Sequence, residues 1–259
     1  MNYFVEGIQG SGKTTMVSGL SKENTSYRVY REGDYCPIEL AWCAWVDEKQ
    51  YASILEKYHA IESSIGEKTV IEGDKRVIMY TQIITDMPGF HKDLEQYEIY
   101  NGNKSRQEFE DIVLKRFADW NGQNEIFECA LFQNIIENMI LFFEMTDEEI
   151  VSFYQRVKEK LQGKSYKIWY LHVDDIRRAE EQIRNERSDE YGNEMWFPMM
   201  VAYLESSPYA MHNNLKGMDG LVTHLQHRVN LEMRILREIF RDHYQVVERK
   251  MQEKDERDK

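Results

Sequence analysis

The chain is short of the residues that build secreted, membrane-bound or linker-rich proteins. Among its 259 residues are only three cysteines, Cys36, Cys43 and Cys129, an odd number without zinc-type spacing, so reduced thiols are expected rather than a disulfide framework. Cys129 reads as buried packing rather than as a nucleophile. No apolar run reaches the roughly 18 residues of a spanning helix, and the first residues enter a strand without the basic and apolar regions of a secretion signal. The expectation is a soluble, cytoplasmic protein with no membrane partner. Four prolines, no Gly/Ser-rich linker and no internal repeat favour one integrated domain. Positive charge is also scarce. Lys and Arg number 33 against 46 Asp and Glu, for a net charge of −13. That balance argues against a broad footprint for DNA or RNA, so no nucleic-acid partner is expected.

What the chain does have stands at its start, MNYFVEGIQGSGKTTMVSGLSKE. Tyr3, Phe4 and Val5 favour extended structure, and glycine follows directly. Gly7, Gly10 and Gly12 leave backbone N–H groups free to form a concave nest for oxygen anions, and a helix from Lys13 aims its dipole at the same place. Gly7 to Thr14 therefore matches the Walker A pattern G-x-x-x-x-G-K-[ST] in its required context of strand, loop and helix. On this reading Gly7, Gly10, Ser11, Gly12, Lys13, Thr14 and Thr15 hold a purine triphosphate, most often ATP. Lys13 would reach the β- and γ-phosphates, and Thr14 would offer its hydroxyl to Mg²⁺.

Apolar runs recur along the chain at 26–32, 124–130, 166–173 and 244–248. With the first strand they predict about five strands in a mostly parallel sheet wrapped by helices, an α/β P-loop fold of three layers. Ser105-x-x-Glu108 and Thr146-x-x-Glu149 read as capping boxes opening two helices. KTVIE and KRVIMYT flank Gly73-Asp74 and predict a hairpin, an addition to the simple βα alternation. The segment 37–59 reads as helical, with Trp42, Trp45, Tyr51 and Tyr58 as its packing face, base stacking in an acceptor pocket being the alternative. The organisation expected is a domain over 1–248, with an insertion at 60–104 that includes the hairpin and a helical lid at 175–192. A charged tail at 249–259 follows.

VEGIQGSGKTT resembles the first strand and loop of thymidylate kinase and its nucleotide-kinase relatives. YREGDY (30–35) is similar to the Arg-Glu stretch ending that family's second strand, and YLHVDDIRRAEEQIRNER (170–187) to its fourth strand and arginine-bearing lid. The resemblance implies a phosphotransferase that uses ATP and Mg²⁺. Two departures leave the acceptor open. Gln9 stands where the family carries an acidic residue that meets the acceptor sugar, and Glu128-Cys129 stands where it carries an Asp-Arg pair.

Ligands of open α/β sheets gather outside the carboxyl ends of the strands, which selects the remaining candidates. Glu128 would orient a Mg²⁺-bound water or take the acceptor proton; otherwise it caps the following helix. Gln133 and Asn134, one turn on, would hydrogen-bond a substrate or simply face solvent. Arg31, Glu32 and Asp34 end the second strand and, with Gln9, are the candidate acceptor contacts, the alternative being a solvated ion-pair cluster. Arg177, Arg184 and Arg187 fall close to one helix face, with Arg178 off that line, and would stabilise charge on a transferring phosphoryl group. Glu180, Glu181, Glu186 and Asp189 offer the alternative of helical salt bridges. Met195, Trp196, Phe197, Met199 and Met200 read as packing, and His172 as a strand-end histidine. The reading is an ATP- and Mg²⁺-dependent kinase of a small molecule, a nucleoside or nucleoside monophosphate being the favoured acceptor. Its rivals are a kinase of another metabolite or antibiotic, and a nucleotide-dependent switch or ATPase with no small-molecule acceptor. A homodimer is left open.

Overall fold

In the computed structural model the residues described are 1–187, 194 and 196–249. The chain runs β1 (Asn2–Gly7), α1 (Lys13–Glu23), β2 (Arg28–Tyr30), β3 (Ala44–Asp47), α2 (Glu48–Lys57), α3 (Glu62–Glu67), β4 (Thr69–Glu72), β5 (Lys75–Ile78) and α4 (Phe90–Glu95). It continues through α5 (Arg106–Asp119), β6 (Glu125–Glu128), α6 (Gln133–Leu141), α7 (Asp147–Lys160), β7 (Tyr166–Val173) and α8 (Ile176–Glu186). Last come α9 (Trp196–Glu205), α10 (Pro208–His212), α11 (Gly217–Ile235) and β8 (Tyr244–Arg249).

Five strands form the central sheet in the order β2-β6-β1-β7-β8, and every neighbouring pair is parallel. The period of two along β1 sorts its side chains to two faces. Phe4 points to the face covered by α5, α6, α7 and α11, where it stacks on Phe127 at 5.1 Å, and Phe127 stacks on Tyr30 at 5.0 Å. Val5 points to the opposite face and meets Val17 of α1, with Ile126 and Leu171 from the flanking strands. Both faces are therefore apolar and both are covered, as a parallel sheet requires. Two of the expected strands prove shorter: 26–32 contracts to Arg28–Tyr30 and 124–130 to Glu125–Glu128. Beyond Glu128 the chain cannot stay extended, because Cys129 takes a φ of 62°.

The hairpin forms as expected. Glu72 pairs with Lys75 across the two-residue turn Gly73-Asp74, and Gly73, at φ 61°, supplies the positive φ that a tight hairpin needs. The helical reading of 37–59 is corrected in part. Ala44–Asp47 is a strand, β3, which pairs antiparallel with β5 and makes a three-stranded sheet in the order β3-β5-β4. Only Glu48–Lys57 is α-helix, opened by an Asp47/Gln50 capping box. The intended aromatic face is thereby split. Trp45 lies on the strand, Tyr58 is buried against α4, and Trp42 is 47 % exposed. This small sheet and helices α2–α4 enclose a core of their own around Ile54, Ile65, Ile78 and Phe90. The buried guanidinium of Arg116 on α5 ties it to the main body, bonding the Glu72 carboxylate and the Cys36 carbonyl.

Both sequence-read capping boxes are present, at Ser105/Glu108 and Thr146/Glu149. Arg249, where the charged tail was expected to begin, is the last residue of β8, and 250–259 lie outside the described residues. Met199, read as packing, is 60 % exposed, while Met195 lies outside the described residues. Among the described residues no helix is long and apolar enough to cross a membrane.

Candidate functional site

The apolar run of β1 fixes the glycine-rich loop at the carboxyl edge of the central strand, and α1 begins where the loop ends. Gly7 is required by space as well as by φ, and Gly10 by φ. At Gly7 (φ 138°) an added Cβ would stand 2.6 Å from the Leu171 carbonyl oxygen, and at Gly10 (φ 69°) one would stand 2.2 Å from Ile183 Cδ1 of α8. The N-cap of α1 is Gly12, with no side chain to satisfy the first N–H groups, so that helix end is left to an external acceptor or to water. Lys13 is buried at 7 % exposure and its Nζ donates to the carbonyls of Gly7 (2.9 Å) and Ile8 (2.7 Å). Those are neutral acceptors for a cation, so an anion placed in the loop would compete for it.

Thr14 and Glu128 come together as the spacing could not show but the strand-end argument anticipated. Thr14 Oγ1 donates to Glu128 Oε1 at 2.6 Å across the β1–β6 edge. Arg31 closes the group, its Nη1 3.5 Å from Glu128 Oε2 and its Nη2 donating to Ser18 Oγ at 3.3 Å. The donor set is all oxygen, which fits Mg²⁺: Thr14 and Glu128 would supply part of the shell, and phosphate and water oxygens the rest. Among the described residues no cluster of three or more His, Cys, Asp or Glu could hold a metal unaided.

The end of β2 carries a second constellation. The Arg31 backbone N–H donates to Asp34 Oδ2 (3.0 Å), and Gln82 Nε2, from the segment after the hairpin, donates to Asp34 Oδ1 (2.9 Å). Glu32 Oε1 accepts from Trp42 Nε1 at 3.1 Å and from Gln133 Nε2 at 3.0 Å. Glu32 thus joins β2, α6 and the approach to β3, and it places the half-exposed Trp42 indole beside the carboxylates. Trp42, whose base-stacking alternative ranked below packing on a helical reading of its neighbours, takes a φ of 63° in a turn instead. Cys129 is buried, its thiol pushed well up by desolvation.

Arg177 and Arg184 of α8, and Arg187 just beyond its end, face other partners. Arg177 bonds Asp219 of α11, Arg184 Nε donates to Glu194 at 2.6 Å and its guanidinium lies over Phe197, and Arg187 lies over Trp196. The surface of α8 against the loop is instead that of Ala179 and Ile183 beside Gly10. Of the expected lid 175–192, residues 188–192 lie outside the described residues. His172 is a strand-end histidine, with Nδ1 2.9 Å from Glu248 Oε2.

Three further groups meet the loop without a sequence motif to mark them. Glu6 ends β1 fully buried, accepts from the N–H groups of Leu131 (2.8 Å) and Phe132 (3.2 Å), and has its carboxyl pushed up to about 8 by desolvation. Arg249, ending β8, donates to the Gly10 carbonyl and lies against Gly12. Arg228 and Glu180, from α11 and α8, are buried near Gln9. The available signal was a charged residue at a core position of an amphipathic helix: Arg228 follows Leu221 and Leu225 on the apolar stripe of α11. No family model and no curated protein matches this chain, so the reading of the site rests on its own geometry.

Proposed function

We propose that the protein is an ATP- and Mg²⁺-dependent phosphotransferase acting on a small molecule, a nucleoside or nucleoside monophosphate being the first acceptor class to test. The observation that carries this reading is the contact between Thr14 and Glu128 at 2.6 Å, with buried Lys13 in the adjoining loop. A hydroxyl at a helix N-terminus, a strand-end carboxylate and a buried ammonium beside a glycine nest are the parts that phosphoryl transfer uses.

In this mechanism the loop N–H groups and the start of α1 bind the triphosphate, and Lys13 exchanges its two carbonyl partners for anionic phosphate oxygens. Mg²⁺, when bound, would neutralise charge on the phosphate oxygens. Thr14 and Glu128 would supply oxygen ligands to that metal, and Glu128 would orient a water or accept the acceptor's proton. Arg31, with Nη1 3.5 Å from Glu128 Oε2, holds the carboxylate beside the loop. The ends of β1, β2 and β6 lie at the same edge of the parallel sheet, so the acceptor would lie among Gln9, Arg31, Glu32 and Asp34.

The experiment is ATP binding by calorimetry with Mg²⁺, followed by radiolabelled phosphoryl transfer to a panel of nucleosides, nucleotides and unrelated metabolites. Micromolar ATP binding with transfer to one acceptor class supports the reading. Binding and hydrolysis with no transfer to any acceptor would favour an ATPase, and no ATP binding at all would end the proposal.

A further inference from the structure

The strand order β2-β6-β1-β7-β8 gives the glycine-rich loop, which leaves the central strand β1, two different sides. Thr14, Glu128 and Arg31 meet on the β6 and β2 side, where Glu32 and Asp34 also stand. The β7 and β8 side carries Arg249, the last residue of β8. Its Nη1 donates to the carbonyl of Gly10, and an added Cβ at Gly12 would stand 3.1 Å from the same nitrogen. Gly12 is the N-cap of α1, so the guanidinium lies at the anion-attracting end of that helix.

Strand register puts it there. Leu171 of β7 is level with Gly7 on one side and with Val247 on the other, so Arg249 stands two residues past the end of β1, beside the loop itself. Two neighbouring acids have other partners. Glu248 Oε2 is 2.9 Å from His172 Nδ1, and Asp175 Oδ1 accepts from the Arg178 N–H at 3.0 Å.

A neutral carbonyl is a weak partner for a guanidinium, whose planar fork matches two phosphate oxygens. The first N–H groups of α1, which no side chain caps, need an acceptor of the same kind. One anion with several oxygens serves both. The side on which Arg249 stands says which part of that anion it meets. With the transferring phosphate beside Thr14 and Glu128, and the acceptor on the β2 side, the remainder of the nucleotide leaves the loop toward β7 and β8.

We infer that Arg249 is a nucleotide-binding residue, which gives up the Gly10 carbonyl to pair with the phosphate nearest the nucleoside, the α-phosphate of ATP. The inference rests on the triphosphate placement proposed above and adds the residue that holds its far end. Charge on the α-phosphate changes little during transfer at the γ-phosphorus. The contact therefore favours ground and transition states alike, and its loss is read in KM rather than in kcat.

The test compares the whole wild-type protein with Arg249→Gln and Arg249→Lys, using calorimetry with a non-hydrolysable ATP analogue and with ADP, both with Mg²⁺. Gln keeps an N–H donor for the Gly10 carbonyl but not the charge, so a mere tether of the loop survives in it. Expected in Arg249→Gln is a loss of about tenfold or more in affinity for both nucleotides, partly recovered in Arg249→Lys. KM for ATP should rise by the same factor while kcat stays within about twofold. Melting temperature and hydrogen exchange of Ile8 to Lys13 without nucleotide should match wild type, since Arg249 is only half-buried. Should Arg249→Gln melt early, the wild-type protein decides: ADP should shield Arg249 from phenylglyoxal, read by mass spectrometry. Unchanged affinity in Arg249→Gln, a loss confined to kcat, a loss accompanied by faster exchange of the empty loop, or no shielding by bound ADP each overturns the inference. The kinase reading survives all four. Nucleotide binding without turnover removes the kinase reading and leaves this inference to the calorimetry, while a wild-type protein that binds neither nucleotide sinks both.

Discussion

Lys13 makes two hydrogen bonds to carbonyls that any residue could offer, and it is buried to make them. On the proposed reading, an anion in the loop displaces those carbonyls. Lys13→Ala should therefore lose ATP affinity and turnover together, measured by calorimetry and radiolabel transfer. Normal affinity in that variant would mean that the loop does not carry the triphosphate. Glu128→Gln should behave differently, because Glu128 is placed to act as charge develops: kcat and kcat/KM should fall together by about 10²-fold while ATP binding is kept. An unchanged kcat would pass the role to Glu32 or Asp34. The place of Glu128 beside the loop was legible because it ends an apolar strand of the sheet. The burial of Glu180 was not, since four residues before Arg184 it reads as one half of a solvated helical pair.

Each capping box is an element-scale device whose loss can be measured. Ser105→Ala and Thr146→Ala should each destabilise the fold by about 1 kcal/mol in urea denaturation, and additively, because they open different helices. A change within about 0.2 kcal/mol would show that neighbouring groups take over the cap. The element that matters most for the proposed chemistry is α8. Ile176, Ala179, Glu180 and Ile183 bury one side of it, while Arg177, Arg184 and Arg187 hold α11, Glu194 and Trp196. Hydrogen exchange of the amides from Ile176 to Glu186 should slow on adding an ATP analogue with Mg²⁺, the expected result for a helix that closes on its ligand. Equal protection in both states would make α8 a static wall. The central strands, the hairpin and both capping boxes were legible because each has a local pattern. β3 was hidden: four residues of strand run straight into α2, so the apolar spacing of Trp45, Tyr51 and Tyr58 passes for one helix.

Across the whole molecule, burial pushes up the carboxyls of Glu6 to about 8 and of Glu39, Glu98 and Glu180 to about 7. From the ordinary carboxyl pKa of about 4.3 up to those values, the folded chain keeps protons that the unfolded chain has released. Stability therefore falls as pH rises through that window. Glu137, held down to about 2 by His224 and Arg228 despite its burial, acts in the opposite sense, but its contribution is complete above the ordinary range and is lost only on strong acidification. Melting temperature should decline from pH 5.5 to pH 8 in a constant-ionic-strength buffer series; a flat or rising profile would contradict these assignments. The order of synthesis imposes a further condition at this scale. Arg249 bonds the carbonyl of Gly10 from 239 residues away, and β1 lies between β6 and β7, each more than a hundred residues downstream. During translation the glycine-rich loop thus leaves the ribosome well before its flanking strands are made. It is completed only when β8 arrives, so a nascent chain stalled inside α11 should carry the whole motif and yet hold no nucleotide.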